Sequence, residues 1–165
     1  MINSDYNNAK LAYEYTKVIW DRINSSYDVV TTKLTTSLGF SGLLLRFAAD
    51  LSDSSWLIHI KIGICILLTG AVIFCGIGLY PIGTGEDVVE PETYLEDKTG
   101  EIYGLSEEMS YLYIARGLSY STKKIEENRR FRVKCLSFVT YFLGIAVIGF
   151  ATSIIGKAVI SSRIS

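Results

Sequence analysis

A chain of 165 residues with 49% hydrophobic content and a formal net charge of −1 is too short and too apolar to act as a monomeric channel or transporter, so a membrane function needs several copies. The near-neutral balance conceals acids and bases that are segregated along the chain, and segregation sets topology and partners. The three cysteines, Cys65, Cys75 and Cys135, lie in or beside apolar runs, where they act as small reduced side chains; no metal-ligand spacing is present, and no cofactor is expected.

Met1 to Asn8 is polar, so no secretory signal peptide opens the sequence. Residues 5–30 then read as an amphipathic helix, because Ala12, Tyr15, Ile19, Ile23, Tyr27 and Val30 recur at three- and four-residue spacing. Ser4 or Asp5 supplies its N-cap. No Gly or Pro interrupts the chain before Gly39, which predicts one rod entering the first apolar run. The rod either projects into the cytoplasm or lies on lipid headgroups with Lys10, Lys17 and Arg22 on phosphates; Glu14, Asp21 and Asp28 favour projection, since they repel an anionic surface.

Three apolar runs follow, at 35–49, 60–80 and 135–155. With a helical rise of ~1.5 Å per residue, the second and third cross a hydrocarbon slab of ~30 Å. The first reaches that length only with Thr31, Thr32 and Lys33 below it and Arg46 within it, through snorkelling or a protein-facing orientation. The spans carry many small residues, among them Ala71 and Cys75, Gly149 and Ser153, at the spacing that lets helix backbones approach in lipid; glycine is also simply common in membrane helices. The residues favoured to line a pore are Thr32, Thr35, Thr36 and Arg46, with snorkelling as the alternative role for Arg46.

Between the second and third runs, residues 81–105 form an acidic loop punctuated by Gly and Pro, with short strands at Val88, Val89 and 101–103. Ser106 followed by Glu107 and Glu108 marks a helix start, the acids matching the helix dipole. No Pro follows before the third run, which predicts a second long helix with Gly117 as its weak point. Lys and Arg gather before the first and third spans, which places the N-terminus and 81–134 in the cytoplasm and the C-terminus outside. The division is therefore a cytoplasmic amphipathic helix (1–33), two transmembrane helices (34–80), a cytoplasmic loop and basic helix (81–134), and a third transmembrane helix with an outer tail (135–165). The fold class is an all-α membrane protein with three transmembrane helices per chain, long cytoplasmic helical extensions and a homo-oligomeric bundle.

Catalysis finds no support: His59 is the single histidine, and no Ser or Cys has a base nearby in sequence. The basic helix is the stronger candidate. Tyr111, Tyr113 and Tyr120 beside Arg116, followed by Lys123, Lys124, Arg129, Arg130 and Arg132, combine aromatic faces for bases with cations for phosphates. The same cations also serve as an ordinary positive-inside anchor.

The stretches YDVVTTKLTTSLGFSGLL and KKIEENRRFRVKCLSFVTYFLGIAVIGF, in an order of amphipathic helix, two spans, acidic loop and basic helix entering a last span, resemble small membrane effectors of bacterial nucleotide-signalled antiphage defence, most narrowly the channel effectors of Hailong systems. The resemblance implies a bacterial inner-membrane location, a tetramer, a nucleotide or single-stranded oligonucleotide that gates it, and a nucleotidyltransferase supplying that ligand. It also implies depolarisation and growth arrest when the pore opens. The alternative reading is a non-conducting scaffold that recruits a soluble partner.

Overall fold

The computed structural model describes residues 2–51, 57–80 and 106–164. Within them the chain forms three helices, α1 (Ile2–Ala49), α2 (Leu57–Leu79) and α3 (Glu107–Ile164), and no strand. The acidic loop and the strands expected in it lie outside the described residues. With 48 residues α1 is about 72 Å long, and with 58 residues α3 is about 87 Å. Both rods expected from the absence of Pro are therefore present, and Gly117 does not break the second. Two boundaries differ from expectation. The first helix starts at Ile2, ahead of the Ser4 or Asp5 cap, and the outer tail after 155 is helical as far as Ile164, since neither segment contains a residue that ends a helix. At the start of α3, Ser106 caps as expected: Met109 N–H donates to its Oγ at 3.4 Å, and Glu107 and Glu108 occupy the first turn.

The chain divides into two compact units, one of Met1–Val29 with Pro81–Arg130 and one of Val30–Tyr80 with Phe131–Ser165. The second unit holds two clusters of buried side chains. Val30, Leu34, Ala71, Cys75 and Val139 form one; Ala48, Ile64, Leu68 and Ala146 form the other. Buried or half-buried positions recur at spacings of four and three along all three helices: Val30, Leu34, Ser37, Ser41, Leu44 and Ala48 on α1, Ile64, Leu68, Ala71, Cys75 and Gly78 on α2, and Cys135, Val139, Phe142, Ala146, Gly149 and Ser153 on α3. A repeat of 3.5 residues is the pattern of helices that coil around one another with a left hand and cross at ~20°.

Small residues occupy much of this seam. A Cβ placed on Gly78 would stand 3.0 Å from Cys135 Cβ and 3.1 Å from Leu34 Cδ1, and one on Gly149 would stand 2.9 Å from Ile64 Cγ1. The expected close approach is realised there and at Ala71, Cys75 and Ser153, which are all but fully buried. At Gly39, Gly42, Gly63, Gly76 and Gly144 a Cβ would meet open space, so those glycines serve no packing within this chain. The cysteines are free thiols. At the far end of α1, the Lys61 ammonium donates to the carbonyls of Ala49 and Leu51 at 3.0 and 3.2 Å, placing a positive charge on the negative end of the helix dipole.

Two helices, α2 and α3, are long and apolar enough to cross a membrane, not three. The first apolar run fails on composition, because Thr35, Thr36, Ser37, Gly39, Ser41, Gly42 and Arg46 dilute its aliphatic residues below those of the other two. Only 28% of the apolar window of α2 and 17% of that of α3 is buried, which separates them from the covered core helix of a water-soluble domain. Ile66, Tyr141 and Ile148 illustrate what remains uncovered, at 66%, 72% and 67% exposure.

Candidate functional site

In the first unit α1 and α3 run parallel, with Tyr13 and Tyr111 in ring contact at 5.5 Å and Ser26 level with Arg129. The α1 side of this seam is Ala9, Tyr13, Thr16, Trp20, Ile23 and Tyr27, again spaced by four and three. Ile19, Ile23, Tyr27 and Val30 face inward as the periodicity predicts. Ala12 and Tyr15 do not: both are exposed, because a seam of 3.5-residue period drifts away from a 3.6-residue stripe, and Ala9 and Tyr13 take the inward places.

The candidate ligand residues of α3 separate into two sets. Tyr113, Arg116, Tyr120, Lys123 and Arg130 are exposed and spaced by three and four, so they share one outer face. Tyr111, Lys124 and Arg129 are half-buried, and Arg132, in the second unit, is 8% exposed. Tyr111 lies two positions from Tyr113, which on a helix is nearly the opposite side, and it packs on Tyr13 instead of offering a free face to a base.

The inner arginines have protein partners. Arg129 forms a fork on Glu126, Nε to Oε2 at 2.7 Å and Nη2 to Oε1 at 2.8 Å, and its Nη1 donates to Ser26 Oγ at 3.1 Å. Arg130 Nε donates to Glu126 Oε1 at 2.9 Å while its side chain stays 73% exposed. Arg132 Nη1 donates to Thr31 Oγ1 at 2.7 Å. Thus the cluster that looked like one basic patch is divided between a structural fork and an open stripe. Glu126 went unnoticed in the sequence, although acid followed by base at three and four residues is the spacing that pairs charges on a helix.

The hydrogen bonds from Arg129 and Arg130 hold the Glu126 carboxyl well below its ordinary value, at about 2. A carboxylate depressed in the folded state adds stability that is complete above its unfolded value near 4.5 and disappears as pH falls through about 2. The melting temperature of the protein should therefore drop as pH is lowered across that window. In Glu126→Gln this dependence should flatten, with a loss near neutral pH of about 1 kcal/mol. Equal acid sensitivity in the two proteins would remove Glu126 as the cause.

On α1, the residues expected to line a pore, Thr32, Thr35, Thr36 and Arg46, are all exposed and lie along one side, with Gly39 and Gly42 between them. The Thr35 and Thr36 hydroxyls donate to the carbonyls of Thr31 and Thr32 at 3.1 and 2.9 Å. Among the described residues, no group of three or more His, Cys, Asp or Glu could hold a metal ion. No protein-family model, curated protein or solved structure matches the chain.

Proposed function

We propose that this chain is the subunit of a homo-oligomeric membrane channel or pore, gated by a nucleotide or oligonucleotide on the outer face of α3, whose opening depolarises the bacterial inner membrane in antiphage defence. The supporting observation is one exposed stripe, Tyr113, Arg116, Tyr120 and Lys123, carried by the helix that also supplies an apolar segment of spanning length. Two tyrosine rings and two cations alternate on that stripe, the chemistry that stacks bases and neutralises phosphates. A ligand there acts on a helix whose later residues lie in the bilayer.

The first apolar run joins the membrane in this reading by packing, not by composition. Leu34 stands against Gly78 and Cys135, and Ala48 clusters with Ile64, Leu68 and Ala146, so α1 accompanies both apolar helices. Its exposed side bears Thr32, Thr35, Thr36 and Arg46, which lipid disfavours and water or a neighbouring subunit accepts. Three spans place the N-terminus in the cytoplasm and the C-terminus outside, as the positive charges before the spans require. The scaffold reading draws support from the fork at Glu126, which commits arginines to structure.

Ion flux from vesicles containing the purified full chain decides between them. A channel gives flux that changes when a single-stranded DNA oligomer is added, and Arg116→Ala with Lys123→Ala removes the response. Oligomer binding to the double variant should also show a log–log salt slope shallower by about 1.4. Absence of flux with and without oligomer would overturn the channel and leave the scaffold.

A further inference from the structure

The first unit presents a second pattern that its own packing does not use. On α1, opposite the seam with α3, Leu11, Tyr15, Val18, Arg22, Ser25 and Val29 are spaced by four and three and are exposed, Leu11, Tyr15 and Val18 at 66%, 67% and 64%. This is a heptad face with no occupant in the chain itself. Along its edge, one residue before Tyr15, Arg22 and Val29, stand Glu14, Asp21 and Asp28, seven residues apart. On α3, opposite its seam with α1, the exposed stripe has the same repeat, and Arg116, Lys123 and Arg130 are likewise seven residues apart, with Tyr113 and Tyr120 between.

We propose that these two outer faces are the halves of one interface between copies of this chain, the α1 face of each subunit seated on the α3 face of the next. The inference rests on the homo-oligomer of the proposed function and not on its nucleotide gate. Three features select a second copy as the occupant. First, the charges are complementary: three acids at one heptad position face three bases at another. The exception is itself complementary, since the one acid on the α3 stripe, Glu127, falls within a turn of the level of Arg22, the one base on the α1 stripe.

Second, the levels agree. Ser26 bonds Arg129 across the intramolecular seam at a separation of 103 residues. Glu14 and Arg116, Asp21 and Lys123, and Asp28 and Arg130 are each separated in sequence by one residue fewer than that. When subunits are related by rotation about an axis along parallel helices, residues at one level in a subunit remain at that level in the next. All three pairs therefore meet together. Third, each face lies on the side of its helix away from the partner helix, so the contact is head-to-tail, which closes into a ring. Exposed ion pairs contribute little affinity singly, but at heptad edges they fix register and partner, while Leu11, Tyr15, Val18, Tyr113 and Tyr120 supply the apolar contact.

Disulfide trapping on the full chain tests this. In a background with Cys65→Ser, Cys75→Ala and Cys135→Ala, two differently tagged chains carry Glu14→Cys and Arg116→Cys separately and are co-expressed in membranes. The expected product is a cross-linked dimer containing both tags, and the chain carrying both substitutions gives a ladder ending at the ring size. As a second measurement in the native-cysteine chain, Glu14→Arg with Asp21→Arg should weaken assembly by about ten-fold or more, and adding Arg116→Glu with Lys123→Glu should restore it. An intact oligomer by native mass that forms no mixed cross-link, or links Glu14→Cys only to itself, overturns the seam and leaves the channel standing. A monomer overturns both. A mixed cross-link in protein that passes no ions supports the seam and removes the channel.

Discussion

Replacing Gly149 by leucine should lower the stability of the purified protein by about 2 kcal/mol, whereas the same change at Gly144 should leave it unchanged or raise it. The helix interior gains ~1 kcal/mol whenever a glycine is replaced by a good helix former, so both substitutions begin with the same advantage. At Gly149 the new Cβ would stand 2.9 Å from Ile64 Cγ1 and 3.3 Å from its Cδ1, before any leucine atom beyond Cβ is placed. Ile64 is 2% exposed and held among Ala48, Leu68 and Ala146, so it has little room to yield. Overpacking of this kind costs about 3 kcal/mol, which exceeds the propensity gain. At Gly144 a Cβ meets nothing within 4 Å, and the gain stands alone. Thermal unfolding in detergent, with the two variants side by side, reads the difference. Identical melting temperatures would mean that α2 and α3 do not approach at this point.

The second large effect divides the arginines by role. Arg132→Ala should cost about 2–3 kcal/mol, since it removes a charge-assisted bond to the Thr31 hydroxyl at 2.7 Å and the packing of a long side chain that is only 8% exposed. Arg132→Lys should rescue little, because an ammonium does not reproduce the planar fork of a guanidinium. Arg116→Ala and Lys123→Ala should each change stability by less than about 0.5 kcal/mol, being exposed helix positions. Melting temperature and oligonucleotide binding, measured together, give a crossed result: binding lost with stability kept at Arg116 and Lys123, stability lost at Arg132. If Arg132→Ala melts like the unmodified protein while losing ligand, the guanidinium belongs to the ligand and not to the fold.

The extent and direction of the helices were legible because they depend on local rules. A chain without Pro and with Ser106, Glu107 and Glu108 at its start has no reason to leave the helix, and both long helices followed. The orientation of side chains was less legible, since it depends on which of two apolar stripes a helix chooses to bury. On α1 the stripe of Leu11, Tyr15 and Val18 and the stripe of Ala9, Tyr13 and Thr16 differ by a small rotation, and one sequence read without its partner helix does not say which is inside. The basic cluster failed for the same reason: Arg129 and Arg130 are neighbours in sequence, yet one is forked on Glu126 and Ser26 while the other is mostly open. The first apolar run shows the converse, since composition alone falls short where packing beside α2 and α3 carries it along.

The hydroxyl bonds of Thr35 and Thr36 bear on which ions a pore lined by α1 would pass. Each hydroxyl has one proton, and each proton is directed at the carbonyl one turn back in its own helix. What these side chains hold toward the solvent is therefore oxygen lone pairs without a matching donor. Lone pairs replace water around sodium or potassium and offer nothing to chloride. Arg46 sets the opposite preference further along the same side. Permeation is then a contest between a cation-solvating ring and a cation-repelling one, and removing the guanidinium charge with Arg46→Gln should move the reversal potential toward that of the cation.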